Sequence, residues 1–275
     1  MMYTKKHLID DLKNMGLKPS DTVLVHSSYK KIAGESGVCD GAETIIDALI
    51  EYFGKEGLVA FPTLTWKFGY FFNEKGKYRT LPDESGEFKP YGNRFDVRTA
   101  ECHDVGIMPD LFRKRDGVIR SLSATHSVSA FGNDAKDFCS GNEKVTTSIG
   151  WASPWGKFYG RRAKMLFIGT TMCCNTYMHA LEERADVTGL FMPQEYDYII
   201  ADYDGSEIPI KIRRHEPGRS HYYDKVRPEL IEAGIAKEYN FGAALTQVVD
   251  VVDETDNMLE KLRKNPNLFS HEYNR

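Results

Sequence analysis

The sequence predicts an α/β fold in which a mixed central sheet is flanked by helices and extended by an antiparallel hairpin. Three short apolar runs, at residues 22–26, 58–61 and 164–169, each end in a polar turn, as buried strands do when they present their ends to a ligand. A helical pattern between the first two runs completes a βαβ unit. Two further runs, at 196–201 and 207–213, are separated by an Asp-Gly turn and predict the hairpin.

The first half of the chain contains the patterns of two helices and one long loop. Residues 1–16 place their apolar side chains on one side of an amphipathic helix. Asp40 and Glu43 have the spacing of a capping box, and the helical period that follows them continues until Gly54. The segment 67–99 is rich in Gly, Tyr, Asn and charge and has no clear period, so we expect an irregular excursion over the surface.

The second half adds further helices around the sheet. Asp104 is expected to cap a helix that Gly117 ends, and a short strand is expected at 118–121. The segments 222–234 and 241–264 have the pattern of closing helices.

The composition argues against several classes of protein. The chain has 275 residues, 41% of them hydrophobic, and no linker or repeat, so we expect one domain over residues 1–275. A net charge of -4 and a pI near 6.1 argue against extended binding to nucleic acid or to an anionic membrane. Five cysteines without CxxC spacing are typical of a reducing compartment, so a cytoplasmic protein is expected.

The stretch 165–183 carries the strongest chemical signal, because an apolar strand leads through a polar turn into a short helix with His179 and Glu182. Residues three apart on a helix share a face. Glu182 can therefore accept a hydrogen bond from one ring nitrogen of His179 and raise the basicity of the other, as a general base requires. Asn175 and Thr176 are expected to cap this helix. A surface or capping role for the pair is the open alternative.

Three polar turns, at residues 26–28, 63–65 and 125–127, follow strand-like runs. Their hydroxyl and backbone N–H groups suit phosphate or pantetheine amides, although Ser and Thr also favour such turns for structural reasons. His126 is either a donor to a developing oxyanion or thiolate or a hydrogen-bonded core histidine. The candidates for phosphate contact near these turns are Lys30, Lys31 and Arg120.

Two rival chemistries would use the same neighbourhood. Cys173 and Cys174 lie close to His179 in sequence, which suggests a cysteine nucleophile, although cysteines are more often buried and inert. A metal held by His126, His179 and Glu182 is also conceivable. The chain carries no stronger ligand signature, so we expect no metal.

Several motifs follow one another in order through most of the chain. The most telling are TVLVHSS at 22–28, LVAFPTLT at 58–65 and MLFIGTTMCCNTYMHALEE at 165–183. The others are GAETIIDAL at 41–49, FDVRTAECHDVGIMPDLFRKRDGVIRSLSATHSVSAFG at 95–132 and SPWGKFY at 153–159. In this series the chain resembles the aminoglycoside 3-N-acetyltransferase family, which is unrelated to the GNAT acetyltransferase fold.

The resemblance implies the antibiotic N-acetyltransferase fold and direct transfer of an acetyl group from acetyl-CoA to an amine in a ternary complex. It implies that His179 and Glu182 are the catalytic pair. The implied acceptor is the 3-amino group of a 2-deoxystreptamine aminoglycoside, and the implied role is antibiotic resistance. The coenzyme-facing positions that it implies are Ser27, Ser28, Thr63, Ser121, His126 and Ser127.

The candidates for acceptor binding are acidic residues. A polycationic aminoglycoside requires an acidic acceptor side, and the first candidates are Asp96, Glu101 and Glu183. The sequence departs from the family at Ser123-Ala124, where His-Pro is frequent, and at 171–174, beside the expected acceptor pocket, where the turn is usually small and acidic. Acetylation of another amine, a cysteine hydrolase and a non-catalytic CoA-binding module therefore stay open.

Overall fold

The computed structural model describes residues 2–65, 71–72, 78–79, 94–147, 149–216 and 218–270. Most of the segment 67–99, which is expected to be irregular, therefore lies outside the described residues.

Within these ranges the chain alternates strands and helices. The strands are β1 (Thr22–Ser27), β2 (Leu58–Pro62), β3 (Phe71–Phe72), β4 (Tyr78–Arg79), β5 (Arg94–Asp96), β6 (Ile119–Arg120), β7 (Val128–Gly132), β8 (Lys164–Ile168), β9 (Phe191–Ala201), β10 (Glu207–His215), β11 (Ala236–Phe241) and β12 (Ala244–Asp250). The helices are α1 (Lys5–Asn14), α2 (Tyr29–Ala33), α3 (Ala42–Phe53), α4 (Ile107–Phe112), α5 (Ala135–Phe138), α6 (Pro154–Gly160), α7 (Tyr177–Arg184), α8 (Arg227–Glu232) and α9 (Val251–Lys264). Short 3-10 helices span Asn142–Lys144, Met172–Cys174 and Arg219–Val226. None of these helices is both long and apolar enough to cross a bilayer.

The central sheet of the described residues has seven strands in the order β11-β12-β8-β1-β2-β7-β6. Strands β8, β1 and β2 are parallel, and the outer strands pair antiparallel to their neighbours, which confirms the predicted mixed sheet. The hairpin of β9 and β10 is confirmed as well, and β5 joins β9 in parallel to form a second sheet. Strands β3 and β4 pair antiparallel with each other. The expectation of an irregular segment was therefore wrong at Phe71–Phe72, Tyr78–Arg79 and Arg94–Asp96.

Helices cover both faces of the central sheet, which explains why β1 and β2 are buried along nearly their whole length. Val23 and Val25 pack in a core with α1, α3 and α4, whereas Leu24 packs in the opposite core with α6, α7 and α9. The alternation follows from the pleat of the strand. Because β8, β1 and β2 are parallel, the polar turns that follow them lie at one edge of the sheet.

Two predicted helix starts differ from the structure. The helix expected after Asp40 begins at Ala42 with Gly41 as its N-cap, and the helix expected after Asp104 begins only at Ile107. Both aspartates have positive φ angles, 52° at Asp40 and 54° at Asp104. An N-cap side chain needs an extended backbone to reach the first-turn N–H groups, so these two capping predictions were wrong.

The C-terminal region differs most from the prediction. The segment 241–264 forms strand β12 and then helix α9, and β11 pairs with β12 in a hairpin. Gly242 makes the turn with a φ of 56°, and its N–H donates to Oδ2 of Asp11 at 2.9 Å. Segment 222–234 divides between a 3-10 helix and α8. Short apolar runs fit either a helix or a strand, and here pairing with β8 selects the strand.

Candidate active site

A cleft of about 740 Å³ lies beyond the carboxyl ends of the parallel strands. Its walls include Ser27 and Ser28 after β1, Leu64 after β2 and Thr170 after β8. Open α/β sheets bind ligands at this edge. Other side chains that line the cleft and bear on its chemistry are His26, Lys30, His126, His179, Arg214 and His215.

The turns at this edge are held together by backbone contacts. The N–H of Ser28 donates to the carbonyl of Ile168 at 2.9 Å, which ties the turn after β1 to the end of β8. Gly169 has a φ of 65°, and a Cβ atom there would lie 2.5 Å from the Cβ of Lys31. Only glycine combines this backbone conformation with so close an approach.

Helix α7 presents His179 to the cleft. Oδ1 of Asn175 accepts the N–H of Met178 at 3.3 Å, whereas Thr176, the N-cap residue, makes no side-chain cap. Of the two expected caps, Asn175 alone therefore acts as one. Its Nδ2 donates to Oε1 of Glu254 at 2.8 Å, and burial raises the pKa of that carboxyl to about 8. The start of α7 is thus anchored to α9.

Two polar side chains contact the Nδ1 side of the His179 ring. Nδ1 of His179 lies 3.1 Å from Oε2 of Glu182, as the three-residue spacing predicts. The hydroxyl of Tyr223 lies 2.6 Å from the same Nδ1 and donates to the same Oε2 at 2.5 Å. His179 has 14% of its side chain exposed and lines the cleft, whereas Glu182 is fully buried. The pair is therefore a cleft histidine backed by a buried carboxylate.

The charges around this pair favour an ionised Glu182 and a neutral His179. Burial would raise the pKa of Glu182, but bonding to His179, the charge of Arg219 and the Tyr223 hydroxyl outweigh it and hold that pKa below its usual value. Nε of Arg219 donates to Oε1 of Glu182 at 2.7 Å. Burial lowers the pKa of His179, and bonding to Glu182 only partly opposes this effect. A neutral imidazole at pH 7 can accept a proton.

Two more imidazoles stand beside His179. The ring centroids of His126 and His215 lie 6.4 Å and 5.0 Å from that of His179. Burial, together with the neighbouring His215 and His179, holds the pKa of His126 well below its usual value. Nδ1 of His126 is 3.0 Å from Oγ1 of Thr125, so a neutral His126 is fixed at the edge of the cleft.

A second histidine–carboxylate pair lies next to the first. Nε2 of His215 is 3.0 Å from Oε1 of Glu183, and Oγ1 of Thr147 donates to the other oxygen of Glu183 at 2.8 Å. Glu183 is 10% exposed and stands behind His215, which lines the cleft. The structure therefore places Glu183, a candidate acceptor residue, one layer behind the cleft surface.

Some of the predicted coenzyme residues line the cleft. Ser27, Ser28 and Lys30 do so, whereas Lys31 is exposed and is not part of the lining. Oγ of Ser27 is buried and has no hydrogen-bond partner within the described part of the chain, and the same holds for Oγ1 of Thr170. The cleft thus offers polar atoms that a ligand can satisfy.

The other predicted coenzyme residues form a buried network below the cleft. Arg120 donates to Oγ of Ser127 at 2.9 Å and to the carbonyl of Thr63 at 2.7 Å. Ser127 in turn donates to the same carbonyl at 2.6 Å, and Oγ of Ser121 accepts the N–H of Val128 at 3.0 Å. The side chains of Thr63, Arg120, Ser121 and Ser127 are all buried, and none is part of the cleft lining.

The two remaining acceptor candidates also lie apart from the cleft lining. Asp96 is in the small sheet, where its carboxylate accepts from the N–H of Arg98 at 2.9 Å. Glu101 is exposed. Two other carboxylates, Asp104 and Glu216, line the cleft instead. The sequence predicted only a capping role for Asp104 and no role for Glu216, and no local pattern marks either side chain as part of a ligand site.

The structure also shows where the residues of the alternative cysteine and metal chemistries lie. Cys173 and Cys174 line the cleft, and Sγ of Cys173 lies 3.5 Å from the carbonyl of His221. Burial raises the pKa of Cys174, which disfavours a nucleophilic thiolate. Across the described ranges no three His, Cys, Asp or Glu side chains are grouped as metal ligands.

Tyr223, Arg219 and His215 are three further residues around His179 that the sequence did not indicate. They lie 36 to 44 positions beyond the α7 residues that they contact. No spacing rule connects side chains so far apart, so only the folded chain brings them together.

The fold and the cleft define an α/β protein with a ligand site at the ends of its parallel strands and a histidine–glutamate pair within it. The chain belongs to the aminoglycoside 3-N-acetyltransferase family, a family of transferases whose sequence profile matches residues 24–263. This confirms the resemblance seen in the sequence motifs.

Two curated relatives illustrate the range of similarity. The chain is 30% identical over 188 residues to the SPbeta prophage-derived aminoglycoside N(3')-acetyltransferase-like protein YokD of Bacillus subtilis, across 66% of this chain and 65% of that protein, which is just under two thirds of its length. It is 25% identical over 270 residues to aminoglycoside N(3)-acetyltransferase VII of Streptomyces paromomycinus, across 91% of this chain and 89% of that protein.

Solved structures confirm the fold. The structure of AAC-IIIb with CoASH matches with a TM-score of 0.78 at 24% identity, across 96% of this chain and 97% of that one. The structure of AAC-VIa bound to sisomicin matches with a TM-score of 0.77 at 20% identity, across 96% and 98% of the two chains.

Proposed function

We propose that the protein transfers the acetyl group of acetyl-CoA to the 3-amino group of a 2-deoxystreptamine aminoglycoside, with His179 and Glu182 as the general-base pair. The observation that carries this proposal is the His179 ring at the cleft, with its Nδ1 side held by Glu182. Family membership supports the reaction class. Relatives with CoA and with sisomicin in their titles support the two substrates.

The positions of the hydrogens among His179, Glu182 and Tyr223 determine which ring nitrogen of His179 can accept a proton. An ionised carboxylate only accepts, and a tyrosine hydroxyl has one hydrogen. Tyr223 donates its one hydrogen to Oε2 of Glu182, and the 3.1 Å contact between this carboxylate oxygen and Nδ1 of His179 needs a hydrogen on Nδ1. This assignment of the tautomer is inferred from the network. The lone pair then lies on Nε2.

The reaction follows from this tautomer. The acceptor amine attacks the thioester carbonyl while Nε2 of His179 takes its proton, and a general base of this kind contributes about 10²–10⁴ in rate. The new C–N bond forms, and collapse of the tetrahedral intermediate breaks the C–S bond and releases CoA thiolate. His126, whose ring centroid lies 6.4 Å from that of His179, stabilises the oxyanion or the thiolate by hydrogen bonding in this proposal. Glu182 stabilises the imidazolium that forms.

The coenzyme is assigned to the turn after β1. Ser27, with its unsatisfied buried hydroxyl, lies next to Ser28 and Lys30 in the cleft wall. Hydroxyls suit the amides of a pantetheine arm, and a lysine suits phosphate. All five cysteines have free thiols, which supports a place in the cytoplasm, where acetyl-CoA is available.

A second candidate acceptor is an amine with fewer charges than an aminoglycoside. Among the described residues, the cleft lining carries two carboxylates, Asp104 and Glu216, against two permanent cations, Lys30 and Arg214. A polycation is attracted by an excess of negative charge, and this balance supplies none. The observation favours a mono- or dibasic amine as the alternative substrate of the same chemistry.

One assay tests both the reaction and the acceptor. Thiol release from acetyl-CoA is measured across a panel of aminoglycosides and simple amines, with mass spectrometry of each product and a Tm series with CoA. Transfer to a 3-amino group, with an amine KM that rises with salt, is the expected result. Transfer only to weakly charged amines, with a salt-independent KM, would favour the second candidate. No Tm shift with millimolar CoA would reject acetyl transfer altogether.

A further inference from the structure

We propose that Tyr223 and Arg219 are positioning residues that set the tautomer of His179 and the orientation of Glu182. The inference deepens the proposed function and rests on it for its effect on activity. Both residues come from the 3-10 helix Arg219–Val226, which begins at Gly218 in a left-handed conformation with a φ of 92°. Within the described part of the chain, this short segment therefore supplies both side chains from outside α7 that donate to the Glu182 carboxylate.

Tyr223 stands between the two members of the pair. Its oxygen is closer to Nδ1 of His179, at 2.6 Å, than the carboxylate of Glu182 is, at 3.1 Å. The hydroxyl is fully buried, and its ring meets Phe269 edge-on with centroids 4.8 Å apart, which restrains the ring. The hydroxyl oxygen also lies 3.5 Å from Nε2, so it is beside the ring and out of line with an Nδ1 hydrogen, which the carboxylate of Glu182 accepts instead.

The hydroxyl keeps its hydrogen throughout the working pH range. Burial and the adjacent charge of Glu182 raise the pKa of Tyr223 well above its usual value. A protonated hydroxyl donates to the carboxylate, the stronger acceptor, and so holds Oε2 of Glu182 next to Nδ1. A carboxylate oxygen held at Nδ1 favours the tautomer with a free Nε2, the atom that faces the amine proton in the proposed reaction.

Arg219 holds the opposite side of the carboxylate. Its Nε donates to Oε1 of Glu182 at 2.7 Å, while Tyr223 donates to Oε2, so each oxygen has its own donor. The side chains of Arg219 and Glu182 are 1% and 0% exposed. A guanidinium bond of fixed direction sets the plane of the carboxylate. Arg219 therefore keeps Oε2 aimed at Nδ1.

The test compares Tyr223→Phe with Tyr177→Phe. Tyr177 is a matched control because it is a fully buried tyrosine on α7 whose hydroxyl bonds to Thr255, at 2.8 Å, and not to the pair. Tyr223→Phe should lower kcat by about 10-fold or more with little change in either KM, because a misplaced base acts in the transition state. Tyr177→Phe should keep kcat within about twofold of the parent.

A spectroscopic readout separates positioning from a purely structural role. The ¹⁵N shifts of His179, recorded above its pKa, should report a hydrogen on Nδ1 in the parent and in Tyr177→Phe. In Tyr223→Phe they should move toward the Nε2–H tautomer. Arg219→Lys should keep more activity than Arg219→Gln at equal occupancy of the folded state, because the lysine retains the charge.

The outcomes are distinct. A parent His179 with its hydrogen on Nε2 overturns the inference even if no variant folds. Equal kcat and equal ¹⁵N shifts in the two phenylalanine variants also overturn it. If no amine accepts an acetyl group, the proposed function fails while the ¹⁵N comparison still decides the positioning role.

Discussion

Two buried arginines, Arg120 and Arg219, have opposite kinds of partner. Among the described residues, Arg120 donates to neutral acceptors, which include Oγ of Ser127 and the carbonyl of Thr63, and its guanidinium lies 5.0 Å from the centroid of the Phe95 ring. Arg219 donates to the buried carboxylate of Glu182. Burial lowers the pKa of Arg120 to about 10, so it stays charged at neutral pH.

The difference separates a structural network from a chemical one. Arg120 lies in β6 and bonds to the carbonyl of Ala100, while Phe95 belongs to β5, so its guanidinium joins the central sheet to the small one. Neutral carbonyls carry no net charge that could stabilise a cation on a reacting group. The carboxylate beside Arg219 can stabilise a cation that forms on His179. Burial of an arginine is therefore no sign of function until its partner is known.

The largest expected effect is that of removing the proposed general base. His179→Ala should lower kcat by at least about 10²-fold, because it removes the proton acceptor that acts in the transition state. Affinity for acetyl-CoA, measured by titration, should remain within about twofold of the parent. Near-normal turnover of this variant would remove His179 from the mechanism.

Glu182→Gln should damage both activity and stability. It leaves Arg219 buried without a counter-charge, and breaking a buried pair in this way costs about 3–5 kcal/mol. Urea denaturation should therefore show a large loss of unfolding free energy together with a fall in kcat. In the double variant Glu182→Gln with Arg219→Met, stability should partly return while kcat stays low. Recovery of both would show that the pair has only a structural role.

Arg120→Met should produce the converse result. It removes the guanidinium that donates to the carbonyls of Thr63 and Ala100 and to Oγ of Ser127, and the loss of these buried hydrogen bonds costs about 2–4 kcal/mol in unfolding free energy. The kcat of the folded protein should stay within about twofold of the parent. A loss of kcat without a loss of stability would contradict the structural role given to this network.

The smallest expected difference is between alanine variants of two serines from similar turns. Ser27→Ala should weaken CoA binding by about threefold to tenfold, because its hydroxyl lines the cleft without a partner inside the described residues. Ser127→Ala should leave CoA affinity unchanged and cost about 1–2 kcal/mol in unfolding free energy, because its hydroxyl is buried between Arg120 and Thr63. Calorimetric titration with CoA distinguishes the two variants, and equal losses of CoA affinity would show that the two serines do not differ in role.

Local geometry explains which site predictions agree with the structure. The spacing of His179 and Glu182 sets their contact within one helix, so the sequence was enough to predict it. Strand ends are local too, which is why the turn with Ser27 and Ser28 reaches the cleft as expected. Asp40 and Asp104 show the limit of such rules, because a positive φ angle, invisible in the sequence, cancels a favourable capping pattern.

By itself the sequence determined the mixed α/β fold, the hairpin and the identity of the histidine–glutamate pair, because strand and helix periods and i,i+3 spacing act over a few residues. Only the tertiary structure decided that Ser127 points into a buried network, that Glu183 stands behind His215, and that Tyr223 completes the pair. These outcomes depend on which strands are neighbours and on contacts between residues about 30 to 60 positions apart, and no local pattern encodes them.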